Sequence, residues 1–322
     1  MEAVISVNNL HKRFNLEAGF FARQGRYVHA LRGVSFHIGR NETYGLVGES
    51  GCGKTTTARL MVRMYEADQG EILFNGGDGG SLNVGALKGD DLRRYREKVK
   101  YIFQDPARSL NPRMTVQEIL SSGPRWSSRG AMSSSELRAQ GAEILEEVGL
   151  SASDLDRRPA EFSGGQRQRI SIARGLLMKP NLLICDEVVS ALDVSIQGQI
   201  LNLLMELRDH RRSTAEEISF LFIAHDLKVA SYFCDRIGVM YGGEIMEEAP
   251  ARDLYKEHYH PYTELLFSSI DGERELQEGR GTNPGPEGCA FADRCPHCEQ
   301  RCRDEKPQLR EAGEGHFLRC WR

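Results

Sequence analysis

The chain has 322 residues, 40% of them apolar and 27% charged, with a formal net charge of −4, which is enough material for one large domain or two. So even a balance excludes a polybasic face for nucleic acid and an acidic tail. No run approaches the roughly 18 apolar residues of a membrane span, and the first residues lack a basic-then-apolar leader, so the expectation is a chain that stays in the cytoplasm. Cys52, Cys185 and Cys234 are scattered, while five of the eight cysteines fall in the last 34 residues; in a reducing compartment such a cluster favours a metal over disulfides.

In chain order, strand signals come first at 5–7 and 34–38. Phe14 lies between them, an aromatic that could stack on a base or simply belong to the core. Phe20, Phe21 and Tyr27 mark an irregular stretch. The apolar run 44–47 then enters Gly48-Glu49-Ser50-Gly51-Cys52-Gly53-Lys54-Thr55-Thr56. A buried strand, a glycine turn and a helix start in that order form a P-loop. Converging backbone N–H groups and the positive end of the helix suit phosphate oxygens. Lys54 adds a charge near the β and γ phosphates, and the Thr55 hydroxyl can complete a Mg²⁺ shell.

A helix is expected over 54–65, a strand over 71–74 and a loop over 75–89, which holds six glycines. The strand 99–103 ends in Gln104-Asp105-Pro106, and an amide there could reach Mg²⁺ or water. Residues 114–160 lack strand signals and read as helices over 115–121 and 134–148, an insertion into an α/β fold. Ser163-Gly164-Gly165-Gln166 opens another helix, either a second anion-ready N-terminus or an ordinary cap. The apolar run 181–185 leads into Asp186-Glu187, with Ser190 and Asp193 following. A carboxylate at the end of a central strand is where a P-loop fold holds Mg²⁺. The strand 218–224 ends in His225, an imidazole placed to contact a γ-phosphate.

These motifs, in this order and spacing, resemble the ATP-binding cassette ATPases over at least residues 4–250. Within that superfamily Gly-Leu-Val-Gly-Glu-Ser-Gly-Cys-Gly-Lys, the Ser-Leu-Asn-Pro-Arg-Met after Gln104, and Phe-Ser-Gly-Gly-Gln-Arg-Gln-Arg-Ile resemble the nucleotide-binding subunit of oligopeptide/dipeptide importers. The resemblance implies an α/β P-loop core with an antiparallel β subdomain, an inserted helical subdomain at 114–160, and a cassette spanning 1–260. It implies ATP hydrolysis between two chains, with the P-loop, Asp186 and Glu187 of one facing Ser163, Gly164, Gly165 and Gln166 of the other. It also raises Phe14 to an adenine-stacking candidate. Thr55, Gln104 and Asp186 would arrange Mg²⁺, Glu187 would polarise water, His225 would hold the γ-phosphate, and Asp193 completes the motif set. Gln104 and the following helices would carry motion to the permeases. Val188 replaces the family's proline after the glutamate and Phe162 its leucine; every catalytic position is intact.

Residues 261–322 form the remaining part: a short helix to about residue 270, a linker over 271–288, and Cys289-x5-Cys295-x6-Cys302-x17-Cys320. Four thiolates on a loop-rich segment can hold one metal centre. The resemblance implies a [4Fe-4S] cluster on Cys289, Cys295, Cys302 and Cys320, with zinc as the alternative and Cys298 outside the pattern. Implied partners are a second ATPase, a paralogue by the same resemblance, two permeases and an extracytoplasmic binding protein, with this chain peripheral on the cytoplasmic face of the membrane. Other members of the superfamily fit less well. Only 58 residues separate Gln104 from Ser163, too few for a long coiled coil, and one P-loop argues against a two-cassette chain. The resemblance also admits the same motor in a nickel or other small-solute importer, whereas an exporter motor is disfavoured by the cysteine tail.

Overall fold

The computed structural model describes residues 2–15, 27–76, 80–125, 127, 132–213, 218–270 and 287–322. Phe20, Phe21 and most of the linker expected over 271–288 lie outside them. The chain divides into two compact units, one of Met1–Val4, Gly39–Asn41 and Asn75–Leu221, the other of Ile5–Ile38, Glu42–Phe74 and Phe222–Arg322. The elements begin with β1 (Ala3–Asn15), β2 (Tyr27–Gly39), β3 (Thr43–Val47), α1 (Lys54–Met61), β4 (Gln69–Phe74), β5 (Leu82–Asn83), α2 (Gly89–Lys98) and β6 (Val99–Ile102). They continue with α3 (Pro106–Ser109), α4 (Val116–Arg125), α5 (Ser134–Glu147), α6 (Gly164–Leu176), β7 (Leu182–Asp186), α7 (Val194–Ser213) and β8 (Ser219–Ala224). The last are α8 (Leu227–Phe233), β9 (Arg236–Tyr241), β10 (Glu244–Pro250), α9 (Ala251–Lys256), α10 (Pro261–Ile270), α11 (Gln300–Asp304), β11 (Arg310–Gly313) and β12 (His316–Leu318).

In the unit that holds the P-loop, β1 pairs antiparallel with β4, Ile5 opposite Phe74, in a sheet ordered β2-β1-β4. β1 is far longer than the three residues expected. Its polar stretch stays in the ladder through a register shift between Asn8 and His11 and a left-handed Asn9 at φ 49°. The second sheet of this unit runs β11-β12-β10-β9-β3. β3 is parallel to β9, with Leu46 opposite Gly238, and the other ladders are antiparallel. All five residues of β3 are buried, as a parallel strand covered on both faces requires. The C-terminal residues are therefore built into a sheet: β12 pairs with β10, Leu318 opposite Glu247. His316 reaches the fully buried Glu247 carboxylate at 2.7 Å.

In the other unit β7 is parallel to β6, Tyr101 opposite Ile184, and β8 flanks β7. All five residues of β7 are buried too. The helices α4 and α5 fall where the sequence places them. α4 runs through Pro124 in its last turn, and α5 starts on a capping box in which Ser133 and Glu136 satisfy each other's backbone N–H. α7 has no counterpart in the sequence reading. It buries Ile200, Leu201, Leu203, Leu204 and Leu207 on one face, the spacing of a helix stripe.

Candidate functional site

Between β3 and α1 the chain turns through Gly48, Gly51 and Gly53, with Gly51 at φ 82° and Gly53 at φ 114°. Inside this turn lies the Lys54 ammonium, only 4% exposed. It donates to the carbonyls of Gly48 at 2.6 Å and Glu49 at 3.0 Å, and sits 3.8 Å from the Cys52 sulfur. A buried cation satisfied by its own loop carbonyls is ready to exchange them for phosphate oxygens, a stronger charge-assisted pairing. Ser50 and Gly51 are exposed at the tip, Thr55 and Thr56 sit in the first turn of α1, and Cys52 is buried, its thiol pushed up by burial. Phe14 packs edge-on against Tyr65 at 5.4 Å, with the Lys12 ammonium 5.5 Å from its ring. It is half-buried rather than in the core. His225 follows β8 and is exposed, and the next residue, Asp226, caps α8 by accepting from the N–H of Lys228 at 2.7 Å.

What holds the P-loop from outside leaves no mark in the local sequence. The Glu49 carboxylate receives both terminal nitrogens of Arg294, at 2.8 and 2.9 Å, and the Glu49 N–H donates to the Tyr262 hydroxyl at 2.9 Å. No local signal joins residues 245 positions apart.

In the other unit, Asp186 is the last residue of β7, 4% exposed, and its carboxylate accepts the Tyr101 hydroxyl. The chain then enters a left-handed backbone at Glu187, φ 49°. For a non-glycine residue this costs about 1–2 kcal/mol and such outliers collect at functional sites. The Gln104 amide donates to the Glu187 carboxylate at 2.6 Å and lies 3.4 Å from the Ser190 hydroxyl. Ser190 in turn donates its hydroxyl to the Glu187 carbonyl at 2.9 Å. Thus Gln104 joins Glu187 and Ser190, more than 80 positions further along the chain, in one hydrogen-bonded group. Asp193 is exposed where α7 begins, its carbonyl accepting from the N–H of Ile196 at 2.9 Å.

Ser163 caps α6, accepting from the Gln166 N–H at 3.3 Å while the Gln166 side chain accepts from the Ser163 N–H at 3.0 Å. The serine is exposed, so the helix end faces solvent. A Cβ on Gly165 would stand 2.7 Å from Ile196, so the glycine is needed for α7 to pass this close. The Gln104 amide and the Asp186 carboxylate in this unit, and the Thr55 hydroxyl in the P-loop unit, are each oxygen donors of the hard kind that Mg²⁺ prefers.

Cys289, Cys295, Cys302 and Cys320 line one cavity of about 90 Å³ together with His260, Phe291 and Trp321. Cys298 is not part of that lining; its thiol faces the Glu299 carbonyl at 3.6 Å. Burial, with the neighbouring cysteines, pushes the Cys289 thiol up to about 11. Among the described residues no group of three or more His, Cys, Asp or Glu side chains converges to hold a metal ion. The expectation of a metal centre therefore stands on a shared cavity and soft donors, not on a formed ligand set. Also among the described residues, no helix is long and apolar enough to cross a membrane.

Residues 31–190 match the family described as ABC transporter, and residues 246–302 match the C-terminal region of the oligopeptide/dipeptide transporter family. The chain is 41% identical to the oligopeptide transport ATP-binding protein AppF of Bacillus subtilis (strain 168), over 99% of this chain and 97% of the relative. A solved dimer of the ATP-binding cassette MJ0796, in a post-hydrolysis state bound to ADP and Pi, superposes with a TM-score of 0.65 at 27% identity, over 77% of this chain and 99% of that one. The fold is shared as well by cbiO1 of Clostridium perfringens, at TM-score 0.65 and 24% identity, over 80% of this chain and 92% of that one.

Proposed function

The chain belongs to the ATP-binding cassette ATPases of the oligopeptide/dipeptide transporter type, and from that premise we propose that it hydrolyses ATP to power uptake of dipeptides or oligopeptides across a membrane. The observation that carries this reading is similarity along the whole chain, tail included, to an oligopeptide transport ATP-binding protein.

Each part of the site is given a task by its chemistry. The P-loop N–H groups and Lys54 take the phosphates, and Phe14 takes the adenine ring. Thr55, Gln104 and Asp186 would hold Mg²⁺, which when bound neutralises charge on the β and γ phosphate oxygens. Glu187 polarises the attacking water as general base, and His225 orients the γ-phosphate. The Gln104 bond to Glu187 at 2.6 Å supports a sensing role for the amide, because a change at the glutamate must move it. The Ser163 helix end supplies backbone donors without a lysine. The P-loop supplies the lysine, so each of two chains would complete the other's site, with Gly164, Gly165, Gln166 and Asp193 at that interface. Loss of the γ-phosphate removes the shared contacts and reopens the pair.

On this reading the chain is peripheral on the cytoplasmic face of a membrane, paired with a second ATPase, two permeases and an extracytoplasmic binding protein. Cys289, Cys295, Cys302 and Cys320 would hold a thiolate-bound centre, a [4Fe-4S] cluster or zinc, which when bound cross-links the tail and, if iron–sulfur, adds a one-electron couple. The reading is tested by ATP hydrolysis of the assembled transporter with and without peptide-loaded binding protein. Stimulation that disappears in Glu187→Gln supports it, and hydrolysis at the wild-type rate in that variant refutes the assignment of the base.

A further inference from the structure

Glu49 is held at three points, and two of the holders lie in the C-terminal part of the chain. Its carboxylate is gripped by both arms of Arg294, its N–H donates to Tyr262, and its carbonyl accepts both the Lys54 ammonium at 3.0 Å and the Cys52 N–H at 3.3 Å. The ion pair is mostly shielded, with side chains 18% and 25% exposed. The Arg294 guanidinium lies 5.6 Å from the Tyr241 ring and 5.8 Å from the Phe291 ring, and Tyr262 packs against both rings at 4.7 and 5.3 Å. Arg294 closes the short turn Ala292–Arg294 and immediately precedes Cys295 of the cysteine cavity. A planar bidentate fork fixes direction as well as distance, which a lone ammonium cannot do.

We propose that Arg294 is a positioning residue for the ATP site: from the cysteine-rich segment it fixes Glu49, and through the Glu49 backbone it fixes the P-loop turn from which Lys54 reaches the triphosphate. Neutralising Glu49 matters equally, since a free carboxylate on the P-loop would repel the phosphates. The inference rests on the ATPase reading and extends it by making the tail part of the nucleotide site. Neither contact touches the substrate, so Arg294 acts on binding and leaves the chemical step to Glu187.

The test uses the full chain. Affinity for a fluorescent ATP analogue, KM and kcat for ATP, and thermal unfolding are measured for wild type, Arg294→Ala, Arg294→Lys, Glu49→Gln and the double variant Glu49→Gln/Arg294→Ala. Arg303→Ala serves as control, because it breaks the Arg303–Asp293 pair of the same segment, whose side chains are 53% and 54% exposed. The expected result for Arg294→Ala is about tenfold weaker analogue binding and a matching rise in KM, with kcat within about twofold of wild type. Arg294→Lys falls between, the double variant is no worse than Arg294→Ala alone, and Arg303→Ala behaves as wild type. Analogue binding by Arg294→Ala within twofold of wild type, or strictly additive losses in the double variant, would overturn the proposal. So would an equal loss in Arg303→Ala. A wild-type chain that fails to bind the analogue would refute the ATPase reading instead.

Discussion

Replacing Gly53 by alanine separates shape from chemistry in the P-loop, because it changes neither Lys54, Thr55 nor any other proposed ligand in chemical identity. Gly53 has φ 114°, a backbone that a side chain rarely adopts, and a Cβ there would stand 2.6 Å from the Ala30 carbonyl oxygen, 2.7 Å from Met240 Cε and 2.8 Å from Leu31 Cδ2. The two apolar contacts are ends of flexible side chains and can swing aside. The carbonyl is backbone, so the turn must retreat by about half an ångström on top of roughly 1–3 kcal/mol of strain. Lys54 is the next residue and moves with it. Displacements of about 1 Å at a reacting site cost about a hundredfold, so kcat/KM for ATP should fall between tenfold and a hundredfold. Gly51, at φ 82°, has nothing within 4 Å of its Cβ position. Gly51→Ala therefore carries the backbone strain without the collision, and its loss should stay within about fivefold. The assay is steady-state ATP hydrolysis with thermal unfolding recorded beside it. Equal losses in the two variants, or wild-type kcat/KM in Gly53→Ala, would refute the steric argument.

Two further outcomes follow from the tail. His260 is 2% exposed, its Nδ1 accepts the Tyr262 N–H at 3.0 Å, and burial pushes its pKa down to about 4. A histidine depressed in the folded state contributes stability that is fully present above its unfolded pKa of about 6.5 and is lost as pH falls toward 4, about 3 kcal/mol over that window. In thermal unfolding from pH 7 to 4, His260→Asn, which keeps an acceptor near Nδ1 and cannot titrate, should show a shallower fall than wild type; parallel curves would contradict the assignment. In protein purified without oxygen, Cys302→Ser should lose bound metal and sulfide while Cys298→Ser keeps them, because only the former lines the cavity. Equal retention in both would remove the proposed centre.

Much of the local structure that carries the candidate site was legible because it is built from short stretches of chain. The P-loop is one strand, one turn and one helix start, and the Asp186-Glu187 pair sits directly on an apolar run, so short-range pattern is enough to place them. Gln104 was also readable, although its bond to Glu187 spans 83 positions and was not. The missed features are long-range or hidden by polarity. Half of β1 is polar, and it is a strand because β4 pairs with it across a register shift. β11 and β12 are four and three residues long; β12 gains its place from β10, and β11 from β12. Too few residues show alternation there to signal a strand. The left-handed Glu187 has no sequence signature, since nothing about a glutamate announces a positive φ. α7 is the different case: its leucine stripe is a regular helical signal that the reading passed over beside the louder Asp193 and His225 motifs. Beyond the cysteines that the sequence shows, the tail carries sheet pairing, the buried Glu247–His316 contact and the Arg294–Glu49 fork, none of which uses a cysteine.

If this chain is the ATP-driven motor of peptide uptake, peptide uptake is the quantity to measure directly. Cells lacking the chain, complemented with wild type or with Glu187→Gln, are given labelled di- and oligopeptides and the internal label is followed. Uptake should be restored by wild type and absent with Glu187→Gln although that variant still binds ATP. Uptake that is independent of the chain, or restored equally by both forms, would contradict that role.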